Sequence, residues 1–384
     1  MKIAYIIASW GHGRGGHFYS LKTIRDVMPF DSLILNLGGV PSPVFKGDPH
    51  VRFFDVSASY ISRLREAGQY IREKQVTHLH SFDSDSYLFA SILSALCGIP
   101  LVNTKPGGPS PRRYYPFVKY LTVFSAEDYE YFDNRRFSGL EKLELIPNRL
   151  SPFDYDDEVI EKIRRKVDGR PVLLRIARIS HFHHKSISQT LALARELQGS
   201  GVGIVPVLVG VIQDEEIYQK LAVEVEGVGG ILLTEAKYTM NAKKLLPCAD
   251  FVVGTGRSFM EAAFARSVLL APTEDSEFPL LVNQDNYEAF KYSNFSGRGI
   301  GGADELVVQD LAAMIVDQSN RDEYLSFVDR ITEEDFAVEG GVQKYLDVYD
   351  AAICPTGIMV TSINLLLLGV RTFVTRCVRL FFNG

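Results

Sequence analysis

The sequence predicts an α/β protein of two doubly wound domains facing a cleft, followed by an amphipathic helical tail. Three observations carry that prediction. Short apolar runs alternate with helical patterns from Met1 to about Leu145. A proline-bearing segment without apolar periodicity, Ile146 to Asp157, then interrupts them. The alternation starts again at Pro171. Strand–helix alternation means a parallel sheet covered on both faces, with ligands bound outside the C-terminal ends of the strands. The expected divisions are residues 1–150 with 340–355 crossing back, residues 151–339, and a tail over 356–384.

Composition sets the class. With 384 residues there is room for two ordinary cores. Hydrophobic residues at 46% and charged residues at 23% fit a globular enzyme rather than a disordered chain. A net charge of −6 argues against nucleic acid as a partner. Cys97, Cys248, Cys354 and Cys377 show no paired spacing, so neither a zinc site nor a disulfide framework is expected, and a cytoplasmic setting is. The apolar run Ile3–Ala8 lacks a cleavage pattern and is expected as a first strand, not a signal peptide.

In the first half, strands are expected at Ile3–Ala8, Leu33–Leu37, Arg52–Asp55, Thr77–Leu79, Leu101–Asn103, Leu121–Phe124 and Lys142–Ile146. Helices are expected at His17–Val27, Tyr60–Lys74 and Ser86–Leu96. Gly11, Gly13 and Gly16 spell a dinucleotide fingerprint after the first strand. A nicotinamide site also needs an acidic residue at the end of the second strand, where Asn36 stands. A tight loop whose amides approach a ligand explains the glycines better. His78–Asp83 and the Gly/Pro-rich stretch Asn103–Arg113 are expected as loops on the same side, the latter lined by Lys105, Arg112 and Arg113.

In the second half, strands are expected at Pro171–Arg178, Val205–Val209, Ile231–Leu233, Phe251–Val253 and Val268–Ala271. Arg178 and Lys185 bracket a loop opening a helix, a clamp suited to a diphosphate. His181, His183 and His184 between them lack metal-ligand spacing. After the Phe251 strand, Gly254, Thr255 and Gly256 lead to a helix over Ser258–Ala265, an anion site with Arg257 as a fixed charge. Ser258 and Glu261 also match a capping box, in which their role is purely structural.

Taken together these marks resemble the retaining glycosyltransferases of family 4, which have the GT-B fold of two Rossmann-like domains. The resemblance runs from Met1 to about Ala352. It rests on Gly15 and Gly16, the hinge ending at Asn148, Arg178 with Lys185, Gly210 closing an apolar strand, the segment Cys248–Asp250, and Glu261. It implies a nucleotide-sugar donor, UDP- or GDP-linked, and no required metal. Arg178 and Lys185 would neutralise the departing diphosphate, Glu261 would hold the ribose, and residues from Leu233 to Tyr238 would frame the base. Gly15 and Gly16 would cover the β-phosphate, with Gly210, Thr255, Gly256, Arg257 and Ser258 completing the donor side. His80, Lys105 and Arg112 would serve the acceptor or sugar. The chain departs from the family at Val253, where a glutamate is usual, and at Lys105, where a histidine is common.

The expected function is retaining sugar transfer to a lipid-linked or saccharide acceptor in cell-surface glycan synthesis. A non-catalytic nucleotide-sugar-binding subunit is the alternative. Along the tail, Thr361, Asn364, Arg371, Thr372, Thr375, Arg376 and Arg379 gather on one arc at 100° per residue. Ile363, Leu366, Leu367, Val370, Phe373, Val374, Cys377, Val378 and Phe381 fill the other, Leu365 and Leu368 are exceptions near the polar arc, and no acidic residue follows Asp350. Such a helix is expected in an anionic membrane interface, at the inner face of the membrane. Packing of its apolar face on the first domain is the alternative.

Overall fold

The computed structural model describes residues 1–10, 13–111, 115–134, 139–298, 300 and 307–368. The chain divides into two compact units, Met1–Asn148 with everything from Val338 onward, and Arg149–Ala337.

The first unit holds strands β1 (Lys2–Ser9), β2 (Asp31–Gly38), β3 (Val51–Asp55), β4 (His78–Ser81), β5 (Leu101–Lys105), β6 (Tyr120–Val123) and β7 (Lys142–Leu145). They form one sheet in the order β3-β2-β1-β4-β5-β6-β7, parallel throughout. β1 lies inside the sheet with helices on both faces, so it reads as a continuous apolar run. Its side chains still alternate: Ala4 and Ile6 meet Leu35 and Leu93 in one core, while Ile3, Tyr5 and Ile7 meet Phe18, Leu21 and Tyr349 in the other. The helix Glu339–Ala351 supplies Tyr345, Val348 and Tyr349 to that second core.

The second unit holds β8 (Val172–Ile176), β9 (Val205–Val209), β10 (Ile231–Leu233), β11 (Phe251–Val253), β12 (Val268–Ala271) and β13 (Leu280–Leu281). Their order is β10-β9-β8-β11-β12-β13, and only the β12–β13 pair is antiparallel. The chain enters and leaves this unit side by side, with Leu150 N–H donating to the Phe336 carbonyl at 2.8 Å. In each sheet the strand order reverses once, between β1 and β4 and between β8 and β11.

Three expectations are corrected here. His80 belongs to β4, and Lys105 is the last residue of β5, because both strands run further than their apolar runs suggest. The described part of the tail, helical over residues 358–368, packs on the first unit with its polar arc inward. Thr361 and Asn364 are buried, whereas Ile358, Met359 and Leu366 are 76%, 73% and 68% exposed. The apolar face therefore does not pack on the domain over these residues. Arg371, Thr372, Thr375, Arg376 and Arg379 lie outside the described residues. No helix among the described residues is long and apolar enough to cross a membrane.

Candidate functional site

The register of β8 and β11 builds the site. Val253 pairs with Arg175, so the loops after the two strands leave the sheet as neighbours at its switch point. That is where doubly wound sheets bind ligands.

After β8 the exposed Arg178 leads into the helix His181–Gly199, whose N-cap Ser180 makes no side-chain cap bond. Arg178 Nη2 lies 3.3 Å from His183 Nε2. Burial, with Arg175 and Arg178 close by, pushes the His183 pKa down to about 4, which leaves the ring neutral beside the cations at neutral pH. Exposed Lys185, one turn further along, donates to the Glu274 carbonyl. Gln189 donates to the carbonyls of Thr273 at 3.1 Å and Ser276 at 2.7 Å, which fastens the helix to the loop after β12. Among the described residues no cluster of metal-ligating side chains is present, His181, His183 and His184 included.

After β11 comes the helix Arg257–Phe264, with Gly256 as its N-cap at φ +51°, a left-handed conformation that favours glycine. The helix thus starts earlier than expected, and the capping-box expectation is corrected. Ser258 lies inside the first turn, where its Oγ accepts from Thr255 N–H and donates to Thr255 carbonyl, both at 3.0 Å. Glu261 does not reach back to the cap. It takes the guanidinium of Arg257, Nε to Oε1, at 2.9 Å. Arg257 is therefore engaged with Glu261, a correction to its expected role as a phosphate-facing charge. What it does is fix the carboxylate.

Gly210 and Tyr238 prove to be scaffold. A Cβ on Gly210 would stand 1.9 Å from the Ala177 carbonyl oxygen, so only glycine lets the end of β9 approach the loop carrying Arg178. Tyr238 is 5% exposed and belongs to the core, which corrects its expected place beside a base.

One residue escaped the sequence analysis. Arg175 is fully buried in β8, donating from Nη1 to the Val253 carbonyl and from Nη2 to Ser186 Oγ, each at 2.9 Å. A lone charge inside an apolar strand run was the available signal.

In the first unit, Gly15 is the N-cap and Gly16 the first residue of the helix Gly16–Val27, with no side chain capping it. Asn36 is buried and accepts from Ser42 N–H at 2.7 Å, so no carboxylate for a ribose stands there. His80 is corrected from the acceptor side to the core. Its Nδ1 meets Tyr349 OH and its Nε2 meets Thr104 Oγ1, both at 2.7 Å. Burial without a charged partner lowers its pKa to about 3. Lys105 is corrected likewise: its ammonium pairs with buried Asp128 at 2.7 Å and with the carbonyls of Gly107 and Gly108. It orders the Gly/Pro-rich loop instead of lining it. Arg112 lies outside the described residues. A depression of 460 Å³ lined by Glu161, Arg164, Arg165, Asp168 and Gly169 lies before β8, at the wrong end of the sheet for this chemistry.

No family model matches the chain, and no curated protein sequence matches it. Solved structures do. Anabaena HepE in complex with UDP superposes with a TM-score of 0.64 over 91% of this chain and 100% of its own, at 15% identity. A glycosyltransferase from Rickettsia africae gives 0.64 at 12% identity, over 92% and 98% of the two chains. A trehalose-phosphate synthase (UDP-forming) from Burkholderia vietnamiensis gives 0.58 at 13% identity, over 92% and 99%. The fold is GT-B. At these identities the likeness is one of fold, and what a GT-B chain does follows from its site.

Proposed function

We propose that this GT-B chain is a glycosyltransferase taking its sugar from a nucleotide-sugar held by the second unit. One observation carries the reading: adjacent strands β8 and β11 lead to Arg178 with Lys185 in the helix that follows it, and to the Gly256 helix start with Glu261. A diphosphate fits against such cations and the positive end of a helix, and a carboxylate fixed by Arg257 suits ribose hydroxyls. Breaking the sugar–phosphate bond leaves two developing charges, and Arg178 and Lys185 stabilise the one on the diphosphate. Transfer with retained anomeric configuration, without a required metal, belongs to the same reading. UDP is the first nucleotide to try, since the HepE structure above contains it.

The test is a thermal shift with UDP, GDP, CMP and NAD. A nucleotide at a hundred times its dissociation constant stabilises the native state by about 2.7 kcal/mol. A rise with UDP or GDP and none with NAD supports the reading, and no rise with any of them overturns it. Val253, fully buried where the resembled family carries a glutamate, favours a second reading as a nucleotide-sugar-binding subunit without catalysis. Release of UDP from a donor in the presence of saccharide or lipid-linked acceptors separates the two.

The acceptor we propose is lipid-linked or saccharide, in cell-surface glycan synthesis. We place the enzyme at an anionic membrane, on its cytoplasmic face. The support is the outward apolar row Ile358, Met359, Leu365 and Leu366, with the arginines that follow it in sequence.

A further inference from the structure

Arg175 occupies a position that the geometry of the fold reserves for apolar side chains. β8 is interior to its sheet, and Leu173 and Leu174 beside Arg175 are completely buried. Arg175 is 1% exposed, and its Nε has no hydrogen-bond partner. Its other nitrogens meet a carbonyl and a hydroxyl, both uncharged. Among the described residues no carboxylate forms an ion pair with it. Desolvation lowers its pKa to about 10, which leaves it charged at neutral pH. Its ionic surroundings are cationic, for both it and Arg178 depress His183.

A buried charge without a counter-ion destabilises the fold that contains it. A residue needed only to bridge β11 to the helix would do so as a neutral donor. The two groups it grips define what the charge is for. Val253 is the last residue of β11 before the Gly254–Gly256 loop, and Ser186 follows Lys185. Arg175 thus ties the root of the Gly254–Gly256 loop to the helix that carries Lys185.

We infer that Arg175 is a positioning residue whose buried charge makes this site select a nucleoside diphosphate over the bare nucleoside. The inference rests on the donor reading above. The missing counter-ion is the diphosphate, felt through a low-dielectric floor and not touched, while the hydrogen bonds to Val253 and Ser186 hold the end of β11 and the helix carrying Lys185 at the spacing it needs.

Calorimetric titration of UDP and of uridine into wild type, Arg175→Met and Arg175→Lys tests this, with the melting temperature of each empty protein recorded. In Arg175→Met, UDP should bind at least tenfold more weakly, uridine within about twofold of wild type, and the empty protein should melt no lower. Arg175→Lys keeps the charge and loses the fork, and should retain the wild-type preference for UDP over uridine. An unchanged preference in Arg175→Met overturns the inference, as does a parallel loss of both affinities with a fall in melting temperature. If Arg175→Met does not fold, loss of the preference in Arg175→Lys overturns it. Wild type that binds neither UDP nor GDP defeats the donor reading itself, a result distinct from all of these.

Discussion

Asn364 holds the backbone of Phe117 as a neighbouring strand would. Its Oδ1 accepts from the Phe117 N–H at 2.9 Å, and its Nδ2 donates to the Phe117 carbonyl at 3.1 Å. One turn earlier, Thr361 meets Ser91 Oγ at 3.2 Å. Asn364→Ala should lower stability by about 1 kcal/mol, because the half-buried Phe117 N–H loses its partner while the carbonyl keeps the Tyr87 hydroxyl. Urea denaturation measures it.

The same grip turns the apolar row outward, so membrane binding and stability should separate. Leu366→Asp should leave stability within about 0.5 kcal/mol, as exposed substitutions do, and should abolish flotation with anionic liposomes. Full-length wild type that fails to float at moderate salt would refute the membrane assignment.

Arg178→Ala and Lys185→Ala should each reduce turnover at least a hundredfold with the fold intact. Removing one preorganised charge from a developing anion costs about 3 kcal/mol. Both side chains are exposed, so the melting temperature should hardly move. Near wild-type turnover in both variants would remove the diphosphate assignment.

Glu261→Gln tests the ribose role. The carboxylate is held by Arg257 at 2.9 Å and caps nothing, so the amide should change stability little while nucleotide affinity falls clearly. Affinity measured by titration and stability measured by melting should part company. If they fall together, Glu261 is structural.

His80 should make the protein acid-sensitive. Its folded pKa is lowered to about 3 from 6.5, so between these values the unfolded chain binds a proton that the native state refuses. Stability is then fully present above pH 6.5 and declines as pH falls, by about 1.4 kcal/mol per unit for one such group. Between pH 6.5 and 5, where carboxylates contribute least, His80→Gln should show a shallower slope. Equal slopes would count against a neutral buried ring.

How much of this was legible in the sequence depends on the reach of each interaction. β11, Phe251–Val253, was legible because a short apolar run bounded by glycine is a local pattern. That the Arg178 loop and the helix carrying Glu261 are neighbours was not legible, because only the sheet order puts β8 beside β11. His80 and Lys105 were misplaced because their partners, Tyr349 and Asp128, lie far along the chain. Ser258 was misjudged because the N-cap lies two residues earlier, at Gly256. The inward polar arc of the tail was out of reach, since periodicity marks two faces without saying which one the protein keeps.

The return of the chain to its first unit has a consequence for synthesis. Tyr349 OH lies 2.7 Å from His80 Nδ1 and 3.2 Å from Tyr5 OH, and all three side chains are buried. A ribosome adding about 5–20 residues per second needs on the order of 10–40 s to make the second unit between them. Throughout that interval the nascent β1–β7 sheet has finished every strand and still lacks the helix that closes one face. His80 and Tyr5 lack their Tyr349 partner, on a face of β1 where the helix Gly16–Val27 supplies a cover. The half that begins first is completed last, so the newborn sheet, and not the later Arg149–Ala337 unit, is where a chaperone or a protease would find this protein.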